Sequence, residues 1–162
     1  MKILATIERI PVVLNDDGSV SYSTRWFRVD GDGDPTNHYN DPCWQADTSL
    51  HGPDGKPVNA LHVPYIVANP IITAMVPGVV LGCMGQVTFR GRTVQAVLAD
   101  IGPRRKIGEG SIALARALGM HESPINGGMD GLAVDWKWFP GRPATIAGVK
   151  YALKPLGKKI TT

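Results

Sequence analysis

Apolar and polar side chains alternate along several short segments of the chain, which is typical of strands with one buried face. The alternation is clearest in the last of these segments, where two tryptophans take part. Turn-type residues at 15–18 join the first two segments and predict a hairpin. The predicted strands lie at residues 3–14, 20–29, 63–68, 79–81, 86–89, 93–100 and 132–139.

One helix and one long loop are predicted between these strands. Residues 111–118 form the helix, with Ser111 or Gly110 as N-cap and Gly119 at its C-terminal end. Residues 30–59 are polar and rich in Gly and Pro, which indicates a long loop, and such loops in small domains often carry function. Six or more strands with one helix predict a mainly β fold built as a small barrel.

The composition agrees with one domain. A chain of 162 residues with 43% hydrophobic content can bury one core, and its 19 Gly and 13 Pro suit frequent turns. Glu8 and Arg9 interrupt the apolar N-terminus, so we expect no signal peptide. No apolar run approaches the roughly 18 residues of a membrane span, so we expect a soluble protein made in the cytoplasm, released by lysis or non-standard export.

Charge and cysteine content narrow the possible partners. The net charge of +3 is small, and part of it comes from Lys154, Lys158 and Lys159. Basic residues are not interleaved with aromatic ones, so we expect no nucleic-acid partner, and we expect a monomer that does not bind membranes. Cys43 and Cys83 fit no CxxC motif; one disulfide or two buried thiols are possible, and the absence of a secretion signal favours the thiols.

Two acids are placed for cleavage of a glycosidic bond, which needs one carboxyl group as acid and another as base or nucleophile. Asp100 ends a predicted strand and Glu109 precedes the predicted helix, with a Gly- and Pro-containing loop between them. The helix N-terminus should lower the pKa of Glu109, and burial should raise that of Asp100. We therefore expect Asp100 as acid and Glu109 as base. Spacing alone favours the alternative, in which Asp100 is an ordinary turn residue at the end of a strand and Glu109 only interacts favourably with the helix dipole.

The remaining motifs are less specific. Asp30, Asp32 and Asp34 resemble the start of a calcium loop, but Pro35 and Asp41 occupy positions that require Gly and usually hold Glu. Calcium therefore stays open beside an acidic turn that binds substrate hydroxyl or amino groups. The four histidines form no HExxH motif, and neither cysteine opens a helix, which argues against a metallopeptidase or a thiol nucleophile. Aromatic residues on strands are usually core, so Trp26, Trp136 and Trp138 are assigned to packing and Trp44 to sugar stacking.

Several ordered segments resemble the fungal and bacterial chitosanases of glycoside hydrolase family 75. The most specific part is the Asp–Glu pair nine residues apart, followed by Gly-Ser at the helix start. The resemblance covers about residues 26–141. Its segments lie at 45–49, 63–67, 99–100, 108–115 and 132–141.

The resemblance implies a six-stranded double-psi β-barrel with one or two short helices, and an inverting endo-hydrolase without metal or other cofactor. Asp100 and Glu109 would be catalytic, and the substrate would be a β-1,4-linked polysaccharide, either chitosan or a related amino-sugar polymer. A phage-type peptidoglycan-cleaving enzyme and a non-catalytic carbohydrate-binding or structural domain are the alternatives. The residues expected to bind substrate are Asp30, Asp32, Trp44, Gln45 and Asp47.

Two departures bear on the substrate. Asn59 stands where the family often has Asp, and the loop between the catalytic acids contains Arg104, Arg105 and Lys106. A solvated loop is the simplest interpretation of this basic run. Over a cleft for polycationic chitosan, however, a cationic loop is electrostatically unfavourable, which leaves the polymer open.

Overall fold

The computed structural model describes residues 1–156. Lys158 and Lys159, which entered the charge argument, lie outside this range. The two helices are α1 (Pro70–Met75) and α2 (Ile112–Ala117). The strands are β1 (Lys2–Ile7), β2 (Ile10–Leu14), β3 (Val20–Asp30), β4 (Tyr65–Ala68), β5 (Cys83–Phe89), β6 (Arg92–Ile101), β7 (Glu109–Ser111), β8 (Met129–Pro143), β9 (Thr145–Ile146) and β10 (Val149–Lys150).

Six strands form a closed barrel in the order β3-β7-β4-β6-β5-β8, and pairing of β8 with β3 closes it. Two pairs are parallel, β3 with β7 and β4 with β6, while the other neighbours in the barrel are antiparallel. The β1–β2 hairpin pairs with the first residues of β3. The prediction of a mainly β, six-stranded barrel with one or two short helices is thus confirmed.

Strand β4 and the central residues of β6 are buried on both faces because two apolar clusters enclose them. Ile66 and Leu98 face the barrel interior. They belong to the first cluster, which also contains Ala68, Ala96, Trp136 and Trp138. Tyr65 and Val67 face the second cluster, which the long loop and α2 cover. This second face matters for the site, since the loop covers the carboxyl ends of β4 and β6 there.

Most predicted elements are present, but several differ, and the short strands β7, β9 and β10 were not predicted. The hairpin at 15–18 and the helix with Ser111 as N-cap are confirmed. The segment 3–14 is two strands rather than one, because the chain turns at Glu8 and Arg9, which take positive φ angles of 49° and 66° without a glycine. Helix α1 was not predicted; Asn69 caps it by accepting the Ile71 N–H. Residues 79–81 do not form a strand.

The cysteines differ from the expected buried pair. Both are free thiols, but Cys43 is exposed in the long loop and only Cys83 is buried. Within residues 1–156, neither helix is long and apolar enough to cross a membrane.

Candidate active site

Asp100 and Glu109 lie on the two strands that flank β4. Val67 of β4 pairs with Asp100 of β6 on one side and with Glu109 of β7 on the other. Neighbouring strands are about 4.8 Å apart, so the Cα atoms of the two acids are separated by roughly 10 Å. The sheet therefore brings together the two acids that the sequence singled out, with one strand between them.

A β-bulge in β6 directs the Asp100 side chain toward the face of the sheet that the long loop covers. Ile66 pairs with Leu98, but Val67 pairs with Asp100, so Ala99 is the extra residue on β6. Without it, side-chain alternation would turn Asp100 toward the barrel interior. Bulges commonly redirect side chains next to active sites. The Ala99 carbonyl accepts the Leu50 N–H at 2.9 Å, which ties the bulge to the long loop.

Three donors hold one oxygen of Asp100. Its Oδ1 accepts the Ser49 N–H at 3.1 Å, the Ser49 hydroxyl at 2.8 Å and its neighbour Ile101 N–H at 3.1 Å. Burial raises the pKa of Asp100, while these donors favour the ionised form and oppose the increase. Oδ2 receives no donor from residues 1–156 and is available to a ligand.

Glu109 differs from Asp100 in its hydrogen bonding. Within the described chain no donor binds its carboxyl group, and burial raises its pKa to about 7, with the charges of Asp32 and Asp100 adding to the effect. Arg28 and Lys106 oppose the increase. The expected lowering of this pKa by the helix is therefore wrong: Glu109 begins strand β7, and α2 is only six residues long.

Asp30 and Asp32 complete a group that we call the carboxylate cluster, defined as Asp30, Asp32, Asp100 and Glu109. One oxygen from each of the three aspartates lies within 4.8 Å of the others, an arrangement that could hold a metal ion. The Tyr65 hydroxyl lies 3.0 Å from Asp30 Oδ2 and from the Asp32 carbonyl. Burial and the charges of Glu109 and Asp32 raise the pKa of Asp30, and burial also raises that of Asp32.

The other predicted substrate-binding residues surround this cluster less directly. Gln45 contributes its main-chain N–H, which donates to Asp32 Oδ1 at 2.9 Å, while its side chain is exposed. Asp47 is exposed and its charge raises the pKa of Asp100; it also bonds to His51 at 2.6 Å. Trp44 is half-buried, with its indole N–H donating to the Asp34 carbonyl at 2.8 Å.

The calcium-loop template does not describe the Asp30–Asp34 run. Asp34 is buried and its carboxylate accepts from Thr36 and His38, so it builds its own turn. Asp41 likewise binds the Cys43 N–H. Only the first two aspartates of the run reach the carboxylate cluster, where Asp100 joins them from a different part of the chain.

Four residues near the cluster were not singled out from the sequence. Ser49 and Tyr65 lie within the segments that resemble chitosanases, which is the signal that could have found them. Arg28 on β3 lies opposite Glu109 on β7 in the backbone register of the two strands. Glu8, in the β1–β2 turn, forms an ion pair with Arg28. Nothing in the local sequence around Glu8 indicates this contact, because it depends on the register of three strands.

A large hollow on the surface of the described chain lies elsewhere. It has a volume of about 610 Å³, is lined by β2, β3, β5 and β8, and shares no residue with the carboxylate cluster. A smaller hollow of about 370 Å³ is lined by Trp26, Arg28 and Asp130 among others, and none of the four cluster residues lines it. The cluster is therefore distinguished by its chemistry and not by the volume of a cavity.

Comparison with known proteins assigns no family. The sequence matches no known family model, and none of the curated proteins matches it. The short segments that resemble chitosanases therefore remain the basis of a prediction.

Proposed function

We propose that this protein is an inverting, endo-acting hydrolase of a β-1,4-linked amino-sugar polymer, with Asp100 and Glu109 as its catalytic pair. The observation that carries the proposal is the contrast between two carboxyl groups on either side of one strand. Three donors bind Asp100, while none from residues 1–156 binds Glu109. Paired carboxyl groups in different hydrogen-bonding environments suit acid–base cleavage of a glycosidic bond, in which one group donates a proton and the other accepts one.

The environments reverse the roles expected from the sequence. Glu109, with a pKa of about 7, retains a proton near neutral pH and is the general acid. Asp100 is the base, because its donors favour the carboxylate and leave Oδ2 free. Glu109 protonates the glycosidic oxygen while Asp100 takes a proton from water, whose oxygen attacks the anomeric carbon and displaces the leaving sugar. The two acids then exchange protons with solvent to complete the cycle.

A Cα separation of roughly 10 Å leaves room for the carboxyl separation that inversion needs. An inverting enzyme needs room for a water molecule between the base and the sugar, which corresponds to carboxyl groups roughly 6.5–9.5 Å apart. A retaining enzyme needs a shorter separation of about 5–5.5 Å. One strand, represented by Val67 at this level of the sheet, lies between the two acids, and the directions of their side chains set the distance between the carboxyl groups.

Asp30 and Asp32 are proposed to bind the sugar next to the cleaved bond. Burial and neighbouring charges raise the pKa of Asp30 to about 8, so this carboxyl group keeps its proton near neutral pH and suits hydrogen bonding to sugar hydroxyl and amino groups. Tyr65 helps to fix Asp30, since its hydroxyl donates to the Asp30 carboxyl group and to the Asp32 main-chain carbonyl.

Peptidoglycan is the second candidate substrate, favoured by the basic loop. Arg104, Arg105 and Lys106 are exposed, and the Asn69 side-chain amide binds the carbonyls of Pro103, Arg104 and Lys106 at 3.3, 2.9 and 2.8 Å. A fixed cationic loop beside the acids suits a polymer that carries carboxylates, whereas it opposes polycationic chitosan.

Release of reducing ends from chitosan and from purified peptidoglycan tests the proposal. Asp100→Asn and Glu109→Gln should each abolish cleavage of the polymer that the wild type cuts. Asp135→Asn is the matched control, since Asp135 is an exposed carboxylate on β8 outside the cluster. Wild-type turnover in both site variants would show that the site is wrong. Binding of a polymer without cleavage by the wild type would favour the non-catalytic alternative.

A further inference from the structure

Glu8 binds the end of the loop that leads into Glu109, although it lies outside the segments that resemble chitosanases. Its Oε1 and Oε2 accept from the two terminal nitrogens of Arg28 at 2.7 and 2.8 Å. Oε1 also accepts the Ile107 N–H at 2.8 Å. One side chain thus joins the β1–β2 turn to β3 and to the loop before β7, across 99 positions of sequence.

The backbone at this turn is unusual for its residues. Glu8 and Arg9 both adopt left-handed conformations, which two-residue hairpin turns normally assign to Asn and Gly. Such conformations cost free energy in other residues and persist where the surrounding structure favours them. The Glu8 contacts supply such a reason, whereas the Arg9 side chain is exposed and makes no hydrogen bond within residues 1–156.

The loop end that Glu8 binds is also fixed by β3. Trp26 donates its indole N–H to the Ile107 carbonyl at 2.8 Å, and the Arg28 N–H donates to the Gly108 carbonyl at 2.9 Å. Gly108 has a φ of 92°, and a Cβ there would lie 2.8 Å from the Trp26 nitrogen, so only glycine fits. Glu8 accepts the Ile107 N–H, so both main-chain polar groups of Ile107 have partners.

Arg28 is the cation whose placement matters most for Glu109. The two residues are register partners on parallel strands, and Arg28 favours ionisation of Glu109. Asp130 on β8 also attracts Arg28, but no ion pair joins them within 4.0 Å. The charged groups that act on Glu109 are Asp32 after β3, Asp100 on β6, Arg28 on β3 and Lys106 in the loop. The charge of Glu109 in turn raises the pKa of Asp30 at the end of β3.

We propose that Glu8 is a positioning residue that holds Arg28 in a bidentate ion pair and so prevents Arg28 from pairing with Glu109. Glu109 then remains able to act as the proton donor. The inference rests on the proposed function insofar as Glu109 is the general acid. The contacts themselves do not depend on it.

Removal of Glu8 should release Arg28 toward the nearest remaining carboxyl group. An opposite charge within about 4–6 Å lowers the pKa of a carboxyl group by roughly 1–3 units. Glu8→Gln should therefore lower the pKa of Glu109 by about that amount. Because the acid must be protonated, the alkaline limb of the pH–rate profile should move to lower pH by the same amount.

Titration of ¹³C-labelled glutamate side chains by NMR measures this pKa without turnover. We expect a downward shift of Glu109 in Glu8→Gln, none in the control Arg9→Gln, and recovery to the wild-type value or above in Glu8→Gln/Arg28→Gln. An unchanged Glu109 titration in folded Glu8→Gln would overturn the inference. The expected shift in a protein that cleaves no polymer would support the assignment of Glu8 and overturn the proposed function instead.

Arg28→Gln alone covers the case in which Glu8→Gln does not fold. This variant retains the contact between Glu8 and the Ile107 N–H. Loss of the cation should raise the pKa of Glu109 and move the alkaline limb to higher pH. An unchanged Glu109 titration would show that Arg28 does not act on the acid, and the inference would then be wrong.

Discussion

Replacement of Ser49 by alanine removes one of the three donors to Asp100 and leaves the main chain unchanged. The lost bond is the hydroxyl contact of 2.8 Å to Oδ1, the shortest of the three. The main-chain N–H groups of Ser49 and Ile101 remain in place. The substitution therefore tests how far hydrogen bonding keeps Asp100 ionised, without removing the catalytic group itself.

The size of the effect follows from the charge of the acceptor. A hydrogen bond to an ionised group contributes about 1.5–3 kcal/mol, and about 1.36 kcal/mol corresponds to one pKa unit. The whole contribution would thus raise the pKa of Asp100 by about 1–2 units. Because Asp100 is only partly buried and two donors remain, we expect a rise of about 1 unit.

The pH–rate profile of polymer cleavage is the assay. Asp100 must be ionised to act as base, so a higher pKa moves the acidic limb to higher pH by about 1 unit. Ser23→Ala is the matched control, since Ser23 also donates its hydroxyl to an aspartate, Asp135, outside the cluster. An acidic limb that stays in place, with a rate reduced equally at every pH, would refute the role assigned to Ser49.

The remaining predictions concern stability, cations and thiols. Burial makes ionisation of Glu109 unfavourable in the fold, so the free energy of unfolding of the wild type should fall as pH rises from about 4.5 to about 7. Glu109→Gln should remove this dependence. In urea unfolding, the stability of the variant relative to the wild type should therefore rise by about 3 kcal/mol between pH 4 and pH 8. EDTA should leave the cleavage rate unchanged and millimolar Ca²⁺ should inhibit, because an ion held by Asp100 with Asp30 and Asp32 would occupy the base; stimulation by Ca²⁺ would contradict the mechanism. A thiol reagent should label Cys43 rapidly and Cys83 only after unfolding; two fast thiols would contradict the described burial.

The sequence predicted the barrel because its signals are local. Alternation along β8, turn residues between β2 and β3, and the Ser111 cap are each visible within a few positions. The turn at Glu8 was missed for the same reason, since its left-handed backbone is stabilised by Arg28 and Ile107, far away in sequence.

The candidate site was predictable in its residues but not in its electrostatics. Asp100 and Glu109 were found from spacing and resemblance, whereas their environments depend on the bulge at Ala99 and on Ser49 reaching Asp100 across the fold. The role of the helix was overestimated, because burial and neighbouring carboxylates outweigh a six-residue helix in setting the pKa of Glu109. Long-range contacts of this kind have no signature within a single segment.

The most direct test of the central claim is the anomeric configuration of the first product. ¹H NMR during cleavage of the preferred β-1,4-linked polymer distinguishes α from β reducing ends before they equilibrate. Attack by water opposite the leaving group, with Asp100 as base and Glu109 as acid, predicts that the α-anomer appears first. Initial appearance of the β-anomer would require a covalent intermediate or a different pair of groups, and it would contradict the account.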